Sequence, residues 1–292
     1  MDDRVAFLCA DPGIPPDGHK GASVHLRAMA TALHRVGVAL DVVVARAGSL
    51  AGFRPHRAQF VAPERARGLA GELRQIAHAE AMLAALQDCG PHRAVYERLS
   101  LFGLAGLLHA RALGVPFVVE ANAPLWREAA RFRHLGLQHA ARGVCRDVMQ
   151  GADKVLAVSH ALADELVREG VRADRVEVLG NGADLARFAD APKLTRPASL
   201  QGRPTMVFLG SLKPWHGIGF LLDAFAALRR RWPTCGLWIV GDGPERERVR
   251  RAVADADGAI VHTESVPHER VPSVLQAADV AVAPYTADAP SY

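Results

Sequence analysis

The sequence predicts an α/β protein with two doubly wound parallel sheets, and three observations carry this. Short apolar runs rich in Val, Ile and Leu alternate with segments whose apolar residues recur at helical spacing, the pattern of parallel strands joined by helices. Residues 189–204 lose that periodicity, with Pro192, Pro197, Ser199, Gly202 and Pro204 close together, and the alternation restarts after them. Loops rich in Gly follow several of the strands, where open α/β sheets bind their ligands. The organisation expected is a first domain at 1–188, a linker at 189–204 and a second domain at 205–292. The length of 292 residues suits two domains of roughly 100–200 residues.

Val5–Ala10 reads as a buried strand. A loop from Asp11 to Gly21 leads into a helix with Leu26, Met29, Ala30 and Leu33 on one face, stopped by Gly37. Val42–Val44 is the next strand, and further strands are expected at 93–96, 116–120, 154–158 and 175–179, with the longest helix at about 125–150. In the second half Met206–Leu209, Leu237–Val240, 259–262 and 279–283 read as strands. The helix after the first of these carries Leu221, Ala224, Phe225 and Leu228 on one face. That half stops after its fourth strand, short of the five or six usual in such sheets, so it is expected to be incomplete.

Composition excludes several classes. Hydrophobic residues make up 50% and charged residues 23%, which is globular rather than disordered. The net charge is only +4 with no block of like charge, so no nucleic acid partner is expected. Cys9, Cys89, Cys145 and Cys235 form no CxxC pair and read as reduced core residues, implying a cytoplasmic location. No secretory leader is recognised, and the longest apolar run, Leu101–Leu108, is far below the roughly 20 residues of a membrane span.

Three strand-to-helix junctions are candidate phosphate sites, because helix N-termini present free amides and Gly lets backbone approach an anion. They are Gly18-His19-Lys20-Gly21-Ala22-Ser23, the stretch from Gly210 to Gly217, and Gly241-Asp242-Gly243-Pro244-Glu245. A dinucleotide dehydrogenase is disfavoured: the first loop lacks GxGxxG, Asp41 opens the second strand rather than closing it, and Gly241-Asp242-Gly243 is followed by Arg246, not Gly. Asp255-Ala256-Asp257 is a D-x-D string, but it precedes Gly258 at a helix end and reads as turn chemistry, so no metal site is expected. No Gly-x-Ser-x-Gly elbow or P-loop is present.

Four motifs in order resemble glycosyltransferase family 4. They are Asn181-Gly182-Ala183-Asp184 with Arg187-Phe188, Phe208–Gly217, Ile239–Pro244, and Ala277–Tyr285. The resemblance implies the GT-B fold, two Rossmann-like domains facing a cleft. It also implies transfer of a sugar from a nucleotide-diphosphate-sugar to a glycan, lipid-linked or small-molecule acceptor, usually with retained anomeric configuration. No cofactor is implied beyond that co-substrate. Charge growing on the leaving diphosphate can be received by fixed cations and helix N-termini without a metal.

On this reading Lys213 is the catalytic cation, and Gly21, Gly210, Ser211, Lys213, His216, Gly241, Gly243 and Val266 bind the donor. Ser211 and His216 stand where the family usually carries Arg and Lys, so Lys213 is taken to substitute. Glu120 and Asn122, in Glu120-Ala121-Asn122-Ala123-Pro124, are expected to position the acceptor or stabilise the cationic sugar, with Lys20, Glu97 and Arg98 on the acceptor side. His19 and His25 read as surface or packing residues.

The expected helix at 125–150 carries Arg127, Arg131, His134 and Arg142 beside its apolar face. This stripe would suit peripheral contact with the inner face of an anionic membrane. A nucleotide-sugar epimerase of the same fold and a non-catalytic nucleotide-sugar or glycan-binding module remain as alternatives. The epimerase would need acid–base residues in the cleft. The binding module is favoured by the expected incomplete second half, since the family's sugar-binding acids would follow Pro284-Tyr285.

Overall fold

The structure is a computed structural model that describes residues 3–50, 52–53, 56–57 and 68–286. The chain divides into two compact units, Met1–Asn181 and Gly182–Ser291.

The first unit runs β1 (Val5–Cys9), α1 (Gly21–Arg35), β2 (Leu40–Val44), β3 (His56–Arg57), α2 (Leu69–Asp88), β4 (Ala94–Arg98), α3 (Ala105–Leu113) and β5 (Phe117–Ala121). It continues with α4 (Leu125–Phe132), α5 (Gln138–Gly151), β6 (Lys154–Ala157), α6 (His160–Arg168) and β7 (Val176–Val178). Its strands are all parallel, in the order β3-β2-β1-β4-β5-β6-β7. The order reverses between β1 and β4, and in doubly wound sheets that reversal opens a crevice at the strands' carboxyl ends.

Alternation along each strand divides the core between two faces. Ala6 and Leu8 of β1 join Val43, Val95 and Val119 in one cluster, while Phe7 and Cys9 join Val42, Val44, Tyr96, Leu26 and Ala30 in the other. Leu26 and Ala30 are the buried face of α1, and Gly37 ends that helix region with φ +88°. The amino end of the sheet is closed by a polar chain. Arg4 Nη1 donates to Asp41 at 3.0 Å, His92 Nε2 lies 3.1 Å from the other Asp41 oxygen, and His92 Nδ1 lies 2.9 Å from His109 Nε2.

The stretch 125–150 is two helices rather than one. His134 takes φ +53°, a left-handed conformation that no helix interior tolerates, and α5 starts afresh at Gln138. Glu72 on α2 fixes that restart: its carboxylate accepts the Gly136 and Leu137 amides at 2.7 Å each. Among the described residues the longest helix is therefore α2, with 20 residues. The basic stripe is broken by the same kink. Arg127 pairs with Glu165 at 2.9 Å, Arg142 pairs with Glu169 at 2.8 Å, and Arg131 lies over the Phe132 ring.

The second unit contains α7 (Leu185–Ala189), β8 (Thr205–Leu209), α8 (Ile218–Arg231), β9 (Gly236–Val240), α9 (Arg246–Asp255), β10 (Ile260–Thr263), α10 (Val271–Gln276) and β11 (Val280–Ala281). Its parallel order is β10-β9-β8-β11, again reversing beside the first strand. Phe208, Leu237 and Ile239 pack with Leu221 and Phe225 of α8 on one face; Val207, Trp238 and Val240 pack with Val274 and Leu200 on the other. The stretch 189–204 lies on this unit. Leu200 is buried in that second cluster, and Arg196 binds Asp279 at 2.7 Å and the Arg203 carbonyl at 2.7 Å. Asp279 also accepts the Thr205 amide at 2.7 Å, tying β8 to the turn before β11.

Among the buried acids of the first unit, Glu97 lies deepest in the core. Glu97 is wholly buried, and a Cβ on Gly106 at the start of α3 would run into its carboxylate. Burial raises its carboxyl from 4.5 to about 8, with a smaller opposing pull from the Gly106 amide. The folded chain therefore holds a proton that the unfolded chain releases, and stability falls as pH rises from about 4.5 to about 8. Glu97→Gln should stabilise the fold by a few kcal/mol (order of magnitude) at mildly alkaline pH and by progressively less toward acid pH, measured by urea unfolding across pH.

Candidate functional site

The first unit builds its site where β1, β4 and β5 end beside α1. Asp11 starts the loop by accepting the Gly13 amide at 2.7 Å. Arg27, nearly two turns into α1, reaches back to donate to the Pro16 and Gly18 carbonyls at 2.7 Å each, so the helix pins the loop that feeds it. The start of α1 is open. Lys20 at the N-cap makes no side-chain cap, no acid occupies the first turn, and a Cβ on Gly21 would meet nothing within 4 Å. The Ser23 amide turns back to the Lys20 carbonyl at 2.9 Å, and the Gly21 and Ala22 amides ahead of it, beside an exposed lysine, are a ready anion site.

One turn below, Glu120 gathers donors from three elements. Register pairs Arg98 with Glu120 and Tyr96 with Val118, so Tyr96, Arg98, Val118 and Glu120 share the sheet face that α1 covers. Tyr96 stacks on Phe7 of the adjacent strand, with centroids 5.1 Å apart and planes 7° apart, which aims its hydroxyl along the sheet. That hydroxyl donates to Glu120 Oε2. Glu120 Oε1 accepts from Arg98 Nη1 at 2.9 Å and from the Asn122 amide, and His25 Nε2 of α1 stands 2.7 Å from it.

Burial by itself would raise the Glu120 carboxyl. The His25 contact, followed by Tyr96 and Asn122, outweighs it and holds the group at about 2. Burial and the Glu120 charge push the Tyr96 phenol upward, so it stays a donor. Glu120 is thus a fixed anion whose lone pairs are spent on protein groups.

The second unit interleaves its two glycine-rich loops. The Gly210 amide donates to the Val240 carbonyl at 3.0 Å, the Leu212 amide to the Asp242 carbonyl at 2.9 Å, and the Glu245 amide back to the Leu212 carbonyl at 3.0 Å. Gly241 (φ +142°) and Gly243 (φ +157°) lie so close to Gly210 and Leu212 that any Cβ would strike their backbone. Arg246 binds Asp242 at 3.1 Å and also Glu264, and His262 Nε2 donates to the Gly241 carbonyl at 2.8 Å.

Beyond that interlock the loop projects Lys213, whose ammonium lies 5.7 Å from the Trp215 ring centroid. No carboxylate pairs with Lys213 among the described residues. His216 packs edge-on against Tyr285 at 4.8 Å. Burial lowers its pKa, with the Lys213 charge acting the same way and a bond to the Ser211 backbone opposing. The start of α8 at Gly217, with φ +68°, seats against the Pro284 backbone.

Residues 19–187 match Glycosyltransferase Family 4, and residues 203–290 match Glycosyl transferases group 1. The chain belongs to glycosyltransferase family 4.

Relatives of this family 4 chain include a GDP-mannose-dependent alpha-mannosyltransferase of Mycobacterium tuberculosis (strain CDC 1551 / Oshkosh). It is 33% identical over 180 residues, which cover 60% of this chain and 45% of that one. An alpha-maltose-1-phosphate synthase of Mycolicibacterium smegmatis is 27% identical over 300 residues, covering 96% and 73%. Among solved structures, Anabaena Alr3699/HepE in complex with UDP and glucose superposes with a TM-score of 0.65. It is 18% identical, and the match covers 99% of this chain and 75% of that one. The architecture is GT-B, two Rossmann-like domains. The chain spans less than half the length of the first curated relatives that it matches.

In this family 4 chain Glu120, Asn122 and Arg98 meet as one cluster, with Lys20 and Gly21 exposed at the start of the helix that supplies His25. Glu97 does not join them. As the neighbour of Arg98 on a strand it points to the opposite face, into the core under α3, so it cannot touch an acceptor there. Gly210, Gly241 and Gly243 form the loop interlock, and Ser211, Lys213 and His216 project from it. Val266 is partly buried against Leu200, Trp238 and Val274. Asp257 sits in a turn with φ +47°, and no group of three His, Cys, Asp or Glu residues able to hold a metal ion occurs among the described residues. No helix there is long and apolar enough to cross a membrane.

Sequence reasoning missed Tyr96 and His25 as partners of Glu120. The first was readable from alternation, being two residues before Arg98; the second needs the helix-to-sheet contact. The glycines separate by experiment. Gly241→Ala and Gly243→Ala should each cost on the order of 3 kcal/mol or more in the second unit, whereas Gly21→Ala should leave stability unchanged or slightly raised, as read by thermal unfolding.

Proposed function

We propose that this chain carries the machinery of an enzyme that transfers a sugar from a nucleotide-diphosphate-sugar to an acceptor hydroxyl, with retention and without a metal. The acceptor is a glycan, a lipid-linked sugar or a small polyol. The observation that carries the reading is Lys213: an ammonium with no carboxylate partner among the described residues, on the loop that leads into the start of α8. As the glycosidic bond breaks, negative charge grows on the departing diphosphate, and a fixed ammonium with helix-terminal amides stabilises it more than the ground state. One relative is named as GDP-mannose-dependent, and a solved structural neighbour is in complex with UDP and glucose, which supports a nucleotide-sugar partner.

On the acceptor side Glu120 acts as a positioning anion. Held near 2, it is no proton carrier at neutral pH, and it orders Arg98, Asn122 and His25 instead. The test is a donor screen with GDP-mannose, UDP-glucose and UDP-N-acetylglucosamine against sugar and polyol acceptors, the product anomer being read by NMR. Lys213→Ala should lower kcat on the best donor by about 10²–10³-fold. Chelation with EDTA should leave turnover unchanged. Loss of turnover on chelation, or a Lys213→Ala enzyme as fast as the parent, would contradict the mechanism.

A further inference from the structure

We propose that Trp215 is a positioning residue, whose ring face holds the Lys213 ammonium in place with its charge uncancelled, ready for the diphosphate of the donor. The proposal rests on the transferase reading and deepens it by naming what orients the cation.

The sequence Lys213-Pro214-Trp215 builds the arrangement locally. A residue before proline is confined to extended backbone, and Lys213 takes φ −88° and ψ 152°. Pro214 then opens a single 3₁₀ turn, Pro214–His216. The Lys213 backbone is pinned on both sides: its amide donates to the Ser211 carbonyl at 2.7 Å, and its carbonyl accepts the His216 amide at 3.0 Å. Trp215 is pinned as well. Its carbonyl accepts the Thr286 amide at 3.2 Å, and its ring meets His216 edge-on, with centroids 6.2 Å apart and planes at 86°. The flexible part is the four-carbon stem of Lys213, and its ammonium lies over the Trp215 ring, 5.7 Å from the centroid. That is inside the roughly 6 Å over which a cation is drawn to an indole, the best of the aromatic faces.

The kind of partner matters more than its strength. A carboxylate would hold the ammonium more tightly, but it would cancel the charge and compete with an incoming diphosphate. An indole face attracts through its quadrupole and carries no net charge, so the cation loses freedom and keeps its charge. His216, the ring beside Trp215, is uncharged at neutral pH. Burial lowers its pKa below the ordinary 6.5, the Ser211 backbone opposes, and the Lys213 charge adds to the lowering. Neither ring therefore offsets the charge of the ammonium, and no carboxylate pairs with it among the described residues.

The chain has four lysines, Lys20, Lys154, Lys193 and Lys213, so ¹³Cε-lysine labelling of the full chain gives few signals, and Lys213→Ala assigns the one of interest. In the free chain the Lys213 Cε methylene should show a ring-current displacement that Trp215→Leu removes and Trp215→Phe partly keeps. Inorganic pyrophosphate should move that signal saturably, and Trp215→Leu should weaken its binding by about three- to tenfold. On the best nucleotide-sugar donor Trp215→Leu should lower kcat by a similar factor with a smaller change in KM, and Trp215→Phe should lose less. In a Lys213→Ala background Trp215→Leu should cost nothing further, because a residue that acts through Lys213 has nothing left to hold.

The proposal is overturned by a free chain without the ring-current displacement, by a parent that does not bind pyrophosphate, or by a Trp215→Leu chain that binds it as tightly as the parent. An equal loss of kcat from Trp215→Leu with and without Lys213 also overturns it, and would mark Trp215 as a support of the loop alone. Turnover tests the transferase reading separately. If the NMR and pyrophosphate results hold and no nucleotide-sugar turns over, the positioning of Lys213 stands and the transferase reading falls. If turnover depends on Lys213 and not on Trp215, the reverse holds.

Discussion

The buried carboxylate of Glu120 organises the first unit's functional end. Glu120 is the penultimate residue of β5, paired in register with β4 and β6, and its side chain leaves the sheet on the face that α1 covers. An isolated carboxylate there would take up a proton or drive the loop apart. Donors from α1, β4 and the β5 turn remove that cost, and in doing so they fix three elements that are distant in sequence. The Phe7–Tyr96 stack, the Arg27 clamp on the Pro16–Gly18 loop and the open start of α1 each place a group relative to that anion.

The second unit reaches a similar end by different means. Its loops are set chiefly by backbone contact, with Arg246 bound to Asp242 at their edge. Gly241 and Gly243 allow the loop after β9 to lie against the loop after β8, and the resulting amide–carbonyl exchange leaves Lys213 projecting from a rigid base. These glycines are there for packing first, and any approach of a ligand is added to that. Gly21 is different: nothing crowds it, so its small size is unused by the fold and left available at the surface.

Much of this was legible in the sequence because strands impose period two. The alternating apolar runs gave the parallel sheets, and Glu120 and Asn122 were legible through the family resemblance of the motif that ends their strand. The same rule, applied to Tyr96-Glu97-Arg98, separates Glu97 from its neighbours, and placing Glu97 with Arg98 on the acceptor side put a core residue at the site. His25 was not legible, since its role depends on how far α1 lies from β5, which no local pattern encodes. The break at His134 was hidden by apolar residues that keep helical spacing across it, and Glu72, 64 residues before Gly136, decides where α5 begins.

The account's central claim is that Glu120 is a permanent anion held by its neighbours, and a ¹³C titration of its side-chain carboxyl measures this directly. The account predicts a resonance that stays in the ionised position as pH falls through the ordinary carboxylate range and moves only near about 2, so that the stability Glu120 contributes declines from about 4.5, where the unfolded chain takes up the proton, and is gone near about 2. A midpoint at the ordinary value of 4.5 or above would mean that the surrounding donors do not hold the charge, and the acceptor-side site built on it would have to be abandoned.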